Sequence, residues 1–322
     1  MKAIVSTRYG SPDVLQLQEV AKPTPKDNEI LVRVHAGVVT PSDTAFRKGD
    51  PFIIKLLYGL TRPRLSIGGV ELAGEVEAVG KDVKQFTVGD AVFGVSPNTF
   101  GAHAEYVCLR EDLPLVTKPV GMTYDEAVTI MDGSPTALIF LRDVAKLQPG
   151  QHILINGAAG AVGSAAVQLA KYYGATVTGV CSTRNIELVK SSGADHVIDY
   201  SREDFTKRRQ AYDVIFDAVG KSSFGHCKGA LTRKGVYMTT VPSLGIVFQM
   251  LRSAIIGSRK AKFTTAGLIQ NKDNFNFLKA LFEAGDLRAV IDHRYPLEQA
   301  AEAHRYVDTE RKRGSVVITV RA

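Results

Sequence analysis

Cysteine is scarce in this chain: Cys108, Cys181 and Cys227 are odd in number, far apart and outside any CxxC spacing. That excludes a disulfide framework and a zinc knuckle, and it points to a reducing, cytoplasmic setting. A secretory leader is lacking as well, because MKAIVSTRYGSPDVLQLQEV alternates like a strand and then turns polar, without an apolar centre or cleavage site. The expected chain is mature and uncleaved. Internal repeats and low-complexity linkers are absent. The net charge of +7 comes from Lys and Arg scattered along the sequence, with no RNP-like or zinc-finger motif, so nucleic acid is not an expected partner.

What is present is an ordinary globular composition, 45% hydrophobic and 23% charged over 322 residues, enough for two domains or one large one. Residues 1–118 carry short strand-like segments (KAIVST, EILVRVHAGVV, GGVELAGEVEAVG, AVFGV, AEYVCL) between Gly, Pro and Asp turns, the texture of an antiparallel β domain. Residues 119–271 alternate apolar strands with helical stretches: HILING, TVTGVC, HVIDY, DVIFDAV, GVYMTT and KFTTA, each of the first four followed by a helix. Such alternation predicts a parallel sheet with helices on both faces. Two amphipathic helices and a closing strand, SVVITV, complete the chain. Two segments stand apart, 52–65 (FIIKLLYGLTRPRL) and 244–262 (LGIVFQMLRSAIIGSRKAK), where apolar residues lie beside Arg and Lys. Each is too short and interrupted to span a bilayer, and reads as a contact helix or a basic amphipathic surface that touches membrane.

The densest motif is INGAAGAVGSAAVQLAK, in which a strand ends at Gly157 and Gly157, Gly160 and Gly163 precede or open a helix from about Ala161. Residues without bulk let the backbone turn tightly, let a pyrophosphate reach the N–H groups of the helix start, and let helix and sheet pack closely. Ala159, Ala161 and Val162 belong to the same turn. About twenty residues on, where an NAD site places a carboxylate for the ribose, stand Ser182, Thr183, Arg184 and Asn185; the first acid, Glu187, comes later. Arg184 can meet a 2′-phosphate with two charge-assisted bonds, which favours NADPH (NADP) over NAD, the alternative being an arginine that merely decorates a helix.

These motifs together resemble the quinone oxidoreductase (zeta-crystallin-like) branch of the medium-chain dehydrogenase/reductase superfamily. VVTPSDTAFRKG, IGGVELAGEVEAVGKDVKQFTVGDAVFG, SSGADHVIDY, DVIFDAVG and AAEAHRYVDTERKRGSVVITV extend the likeness over essentially the whole chain. The resemblance implies an α/β protein in two parts: a GroES-like β-rich catalytic domain from 1–118 and 272–322, and a Rossmann doubly wound parallel sheet domain from 119–271, meeting at a cleft. It also places Thr40, Val70 and Asp132 where zinc-dependent relatives carry catalytic metal ligands, so no metal is expected. The remaining reading is a zinc-independent oxidoreductase that transfers hydride from NADPH to a quinone or an α,β-unsaturated carbonyl.

By the same resemblance Thr40 and Asp43 line the nicotinamide end, where the Thr40 hydroxyl donates to substrate or caps the TPSD turn. Asp132 is a general acid raised by burial, or a turn or cap residue. Thr136, Tyr200, Ala218, Val219, Gly220 and Phe263 match cofactor-flanking positions, Tyr200 near the 2′-phosphate. A homodimer is implied. Two other readings stay open: an alcohol dehydrogenase-like reductase of another carbonyl, and a weakly catalytic NADPH-binding protein acting at a membrane or through a partner.

Overall fold

The computed structural model describes residues 1–97, 99–265 and 270–321. In chain order it begins with strands β1 (Lys2–Ser6), β2 (Leu15–Glu19) and β3 (Glu29–Val38), helices α1 (Pro41–Lys48) and α2 (Ile53–Tyr58), and strands β4 (Glu71–Val79), β5 (Ala91–Val95), β6 (Tyr106–Arg110) and β7 (Leu115–Thr117). Helices α3 (Tyr124–Met131) and α4 (Ser134–Leu138) lead into an alternating stretch: β8 (His152–Asn156), α5 (Ala161–Tyr172), β9 (Thr176–Cys181), α6 (Ile186–Ser191), β10 (His196–Asp199), β11 (Tyr212–Asp217), α7 (Phe224–Cys227), β12 (Leu231–Thr239), α8 (Leu244–Ile255) and β13 (Lys260–Lys262). The chain closes with α9 (Lys272–Ala284), β14 (Ile291–Pro296), α10 (Ala300–Asp308) and β15 (Ser315–Thr319).

Two compact units result. The first comprises Met1–Asp132, Asn271–Glu283 and Arg288–Ala322, and the second Gly133–Gln270 and Ala284–Leu287. The division read from sequence at 118 thus moves to 132. The reason is that α3, capped by a reciprocal Thr123–Glu126 box, packs on β3, β4, β5 and β15 of the first unit.

The first unit is built on β3, which pairs antiparallel with β4, β6 and β15. Ile30, Val32 and Val34 alternate along it and are fully buried, joining Leu72, Val92, Leu109 and Leu115 in one core. Each such side chain contributes on the order of 1.5–3 kcal/mol by leaving water. The sheet is not wholly antiparallel, because β14 and β15 are parallel, with α10 making the crossover between them.

The second unit is a six-stranded parallel sheet in the order β10-β9-β8-β11-β12-β13. That is the doubly wound order, with the direction of winding reversing beside β8. One predicted helix is missing: after β10 only a 3₁₀ turn, Phe205–Lys207, forms, under Asp204, whose carboxylate accepts from the Thr206 N–H. The sequence there, SREDFTKRRQ, has a single apolar residue to bury, too few for an amphipathic helix.

Candidate functional site

In the first unit the TPSD turn sets the geometry. Thr40 is extended at the N-cap of α1, Pro41 opens the helix, and Asp43 stands at its third position. The Thr40 N–H and hydroxyl both donate to Asp43 Oδ2, at 2.8 and 2.6 Å, while the Asp43 N–H donates back to Thr40 Oγ1 at 3.2 Å. Thr40 is therefore the helix cap, and its hydroxyl proton points at Asp43. Both residues are buried.

Asp132 closes α3 as its C-cap, and its Oδ2 lies 3.1 Å from Lys312 Nζ, a nearly buried pair 180 residues apart in sequence. It is the partner of a lysine. Beside it stands Glu71, at the start of β4, an acid whose carboxyl is raised by burial. Burial pushes its carboxyl well above the ordinary value, the charges of Asp43 and Asp132 push it further, and Lys312 only partly opposes them. Its Oε2 is out of reach of solvent and has no hydrogen-bond partner. Asp43, Asp132 and Lys312 thus act on Glu71 in one electrostatic cluster, and Thr40 is tied to it through its hydrogen bonds to Asp43.

In the second unit the turn after β8 begins at Gly157, whose φ of +80° suits glycine and whose Cβ would meet Val219 at 2.4 Å. A Cβ on Gly163 would fall 2.1 Å from the Gly157 carbonyl oxygen, so helix α5 can approach β8 only with glycine there. Gly160 differs: a Cβ there would find only the Gly157 oxygen, at an ordinary 3.6 Å. Among the described residues no other atom comes within 4 Å of that position. Gly160 is the N-cap of α5 and offers no side-chain cap to the first N–H groups of the helix, the groups that bind anions at helix starts. The cradle fits a pyrophosphate.

The other expected cofactor residues follow the carboxyl ends of neighbouring strands, where ligands of open parallel sheets bind. Ala159, Ala161 and Val162 follow β8, Ser182 to Asn185 follow β9, and Tyr200 follows β10 with its N–H on the Cys181 carbonyl. Ala218, Val219 and Gly220 follow β11, and Phe263 follows β13. Thr136 stands apart on α4, which packs against α5. Tyr200 is exposed and Asn185 buried.

Sequence reasoning missed three residues that shape this edge. Asp217 is fully buried and accepts from Asn156 Nδ2 at 3.0 Å, Tyr237 at 3.1 Å and the Ser222 N–H at 2.8 Å, thereby fixing the turn that carries 218–220. Asn156 and Asp217 end two adjacent strands in register. Asp199 accepts from the hydroxyls of Thr183 and Ser201, which hold its carboxyl below the usual range and occupy it. Polar residues ending apolar strands, as in HILIN, VIFD and HVID, were the available signal.

Two family models match, one described as alcohol dehydrogenase GroES-like domain over residues 26–120 and one as zinc-binding dehydrogenase over 192–318. The quinone oxidoreductase of Sus scrofa is 33% identical, covering 94% of this chain and 93% of its own. The chloroplastic NADPH-dependent alkenal/one oxidoreductase of Arabidopsis thaliana is 31% identical over 99% of this chain and 79% of its own. The solved quinone oxidoreductase of Coxiella burnetii superposes with a TM-score of 0.89 at 31% identity, over 100% of this chain and 99% of that one. The chain belongs to the quinone oxidoreductase family of the medium-chain dehydrogenase/reductases.

Within that superfamily the zinc of the matching model's description does not fit these residues. Of the three ligand positions only Asp132 carries a donor suited to zinc, and it is paired with Lys312. Among the described residues no group of three His, Cys, Asp or Glu side chains is placed to hold a metal ion.

Proposed function

We propose that the chain is a reductase that uses NADPH to reduce a quinone or an α,β-unsaturated carbonyl. The observation that carries this is the gathering of the cofactor motifs along one edge of the parallel sheet, around a glycine whose missing side chain the protein does not itself fill. The names of the relatives, quinone oxidoreductase and NADPH-dependent alkenal/one oxidoreductase, support the acceptor class and the cofactor.

NADPH bound there supplies the hydride. The chain's own residues bind and orient. The N-terminus of α5 would hold the pyrophosphate, and with Asp199 engaged by Thr183 and Ser201 the 2′-position would fall to Arg184 and its neighbours. On the first unit the Thr40 hydroxyl is the group suited to an oxyanion on the substrate, with Asp43 behind it. The panel that tests the reading is NADPH and NADH oxidation with ortho- and para-quinones, 2-alkenals and simple aldehydes, with and without EDTA. EDTA-insensitive oxidation of NADPH with quinones or alkenals is the expected result, and turnover confined to simple aldehydes contradicts it.

The association state completes the proposal. Leu244, Phe248, Leu251 and Ile255 form an exposed apolar stripe along α8, beside β13 at the end of the sheet. A second copy covering this stripe, in the cytoplasm that the unpaired cysteines suit, is the proposed homodimer. Sedimentation of a Phe248→Glu, Leu251→Glu chain as a monomer checks it. A chain that is already monomeric and floats with anionic liposomes through Arg252, Arg259 and Lys260 instead makes 244–262 a membrane contact; among the described residues no helix is long and apolar enough to cross one.

A further inference from the structure

Helix α2 lies on the first unit with its apolar side outward. Its inner side is pinned: the Tyr58 ring packs against Phe46 and Phe100, at centroid distances of 4.9 and 5.7 Å, and the Tyr9 hydroxyl donates to the Gly59 carbonyl at 2.7 Å. The Arg64 N–H donates to the Tyr58 carbonyl at 2.8 Å, which folds the chain back after the helix. Phe52, Ile53, Leu56 and Leu57 fall on the opposite side, at the i, i+1, i+4 and i+5 spacing of one helical face, and Leu60 follows them. All five are 51–68% exposed, whereas Ile54, Lys55 and Tyr58 are partly covered. A helix of a globular protein normally turns this arrangement round. Large apolar side chains exposed so close together mark a contact surface.

The charges around the patch are of one sign. From 51 to 70 the chain carries Lys55, Arg62 and Arg64 and no Asp or Glu, and both arginines are exposed. Arg8, also exposed, precedes Tyr9, over whose ring Lys55 Nζ stands 5.5 Å from the centroid. The flanking acids are Asp50, exposed before the helix, and Glu71, whose Oε2 is shut off from solvent. These charges choose between occupants. A second copy set on the same face by a two-fold axis would bring the arginines of both chains together with only Asp50 to oppose them. A nucleic acid would match the cations and leave the Phe, Ile and Leu side chains in water. A bilayer with anionic lipid meets both, since the acyl boundary takes the apolar side chains and the headgroups take the cations.

We propose that the outward face of α2, with Arg62 and Arg64, seats the first unit on an anionic lipid surface, and that the acceptor is a lipid-borne quinone or alkenal taken from that surface. The acceptor half rests on the reductase reading, and the docking stands without it. What joins the two is a small cavity that Tyr58, Pro63, Leu65 and Gly68, from this same segment, border together with Asp43, the partner of Thr40. The segment that meets lipid on one side thus shares a cavity with Asp43 on the other.

The test is flotation of the full chain with vesicles of phosphatidylcholine alone and of phosphatidylcholine mixed with phosphatidylserine. The parent floats with the mixed vesicles only, and is released in high salt, which screens surface charge. Leu56→Glu, Leu57→Glu abolishes flotation, and Arg62→Gln, Arg64→Gln weakens it about fivefold for each cation removed. The stripe on α8 belongs to the second unit and to the proposed homodimer, so Phe248→Glu, Leu251→Glu is the control and still floats. Both α2 variants keep the parent's Tm and its kcat with a short-chain, water-soluble quinone. With a long-chain quinone held in the mixed vesicles, the Leu56→Glu, Leu57→Glu chain turns over about tenfold or more slowly than the parent. A parent that stays in the aqueous fraction with both vesicles, or floats equally with both, overturns the anionic docking, as does an α2 variant that floats as well as the parent. Sedimentation of the parent as a dimer that the α2 substitutions dissolve gives the face to a second copy and overturns it too. Equal turnover of the vesicle-held quinone by parent and variant overturns the lipid-borne acceptor alone. A parent that floats but reduces no acceptor overturns the reductase reading and leaves the docking standing.

Discussion

Thr40 and Asp43 each satisfy the other: three hydrogen bonds of 2.6 to 3.2 Å join the two residues, and the same bonds that cap α1 aim the Thr40 hydroxyl at a carboxylate. Structure and proposed chemistry therefore share one hydroxyl, and replacement by serine and by valine separates them. Thr40→Ser keeps the hydroxyl and retains most activity. Thr40→Val loses about 1 kcal/mol of stability with the cap and about a hundredfold in kcat with the donor. Thermal unfolding and steady-state kinetics on the two variants check both numbers.

Glu71 gives a pH signature. A carboxyl raised in the folded state contributes stability that is present below its unfolded value and lost as pH rises through the raised one. Glu71→Gln mimics the protonated form, so its Tm exceeds that of the parent by a few degrees at pH 8, and the gap closes towards pH 4. Calorimetry across that range measures it.

His304 has the opposite sign. Its imidazole is depressed in the folded chain, so below about pH 6.5 the unfolded chain takes up a proton that the folded chain refuses. Stability then falls by up to about 1.4 kcal/mol for each pH unit. Urea unfolding between pH 5 and 8 shows this slope in the parent and a flatter one in His304→Gln.

The glycines of the α5 turn divide into two kinds. Gly163→Ala drives a Cβ to within 2.1 Å of a carbonyl oxygen, which costs about 2–4 kcal/mol and expels helix α5 from its seat. Gly160→Ala meets no protein atom closer than 3.6 Å, so Tm changes little while the Kd for NADPH rises about tenfold or more. Fluorescence titration beside thermal unfolding distinguishes a glycine kept for the fold from one kept for the ligand.

Much of this was legible in the sequence, for local reasons. Gly157, Gly160 and Gly163 report backbone geometry, and the strand positions of Ser182, Tyr200 and Ala218 follow from the alternation of apolar runs. What could not be read was set by distant parts of the chain meeting. Lys312 reaches Asp132 across 180 residues, and Asp217 gains its role from Asn156 on the adjacent strand. Glu71 reads as an ordinary strand residue until Asp43 and Asp132 are placed against it. The helix expected after β10 failed because alternation promised an element where SREDFTKRRQ had almost nothing apolar to bury.

The most direct test of the account is to follow the label from NADPH deuterated at the transferring C4 position into a 2-alkenal in ordinary water. Deuterium is expected at C3 of the saturated aldehyde, with the C2 hydrogen drawn from solvent. Deuterium at the carbonyl carbon, in an allylic alcohol, would show a carbonyl reductase and contradict it.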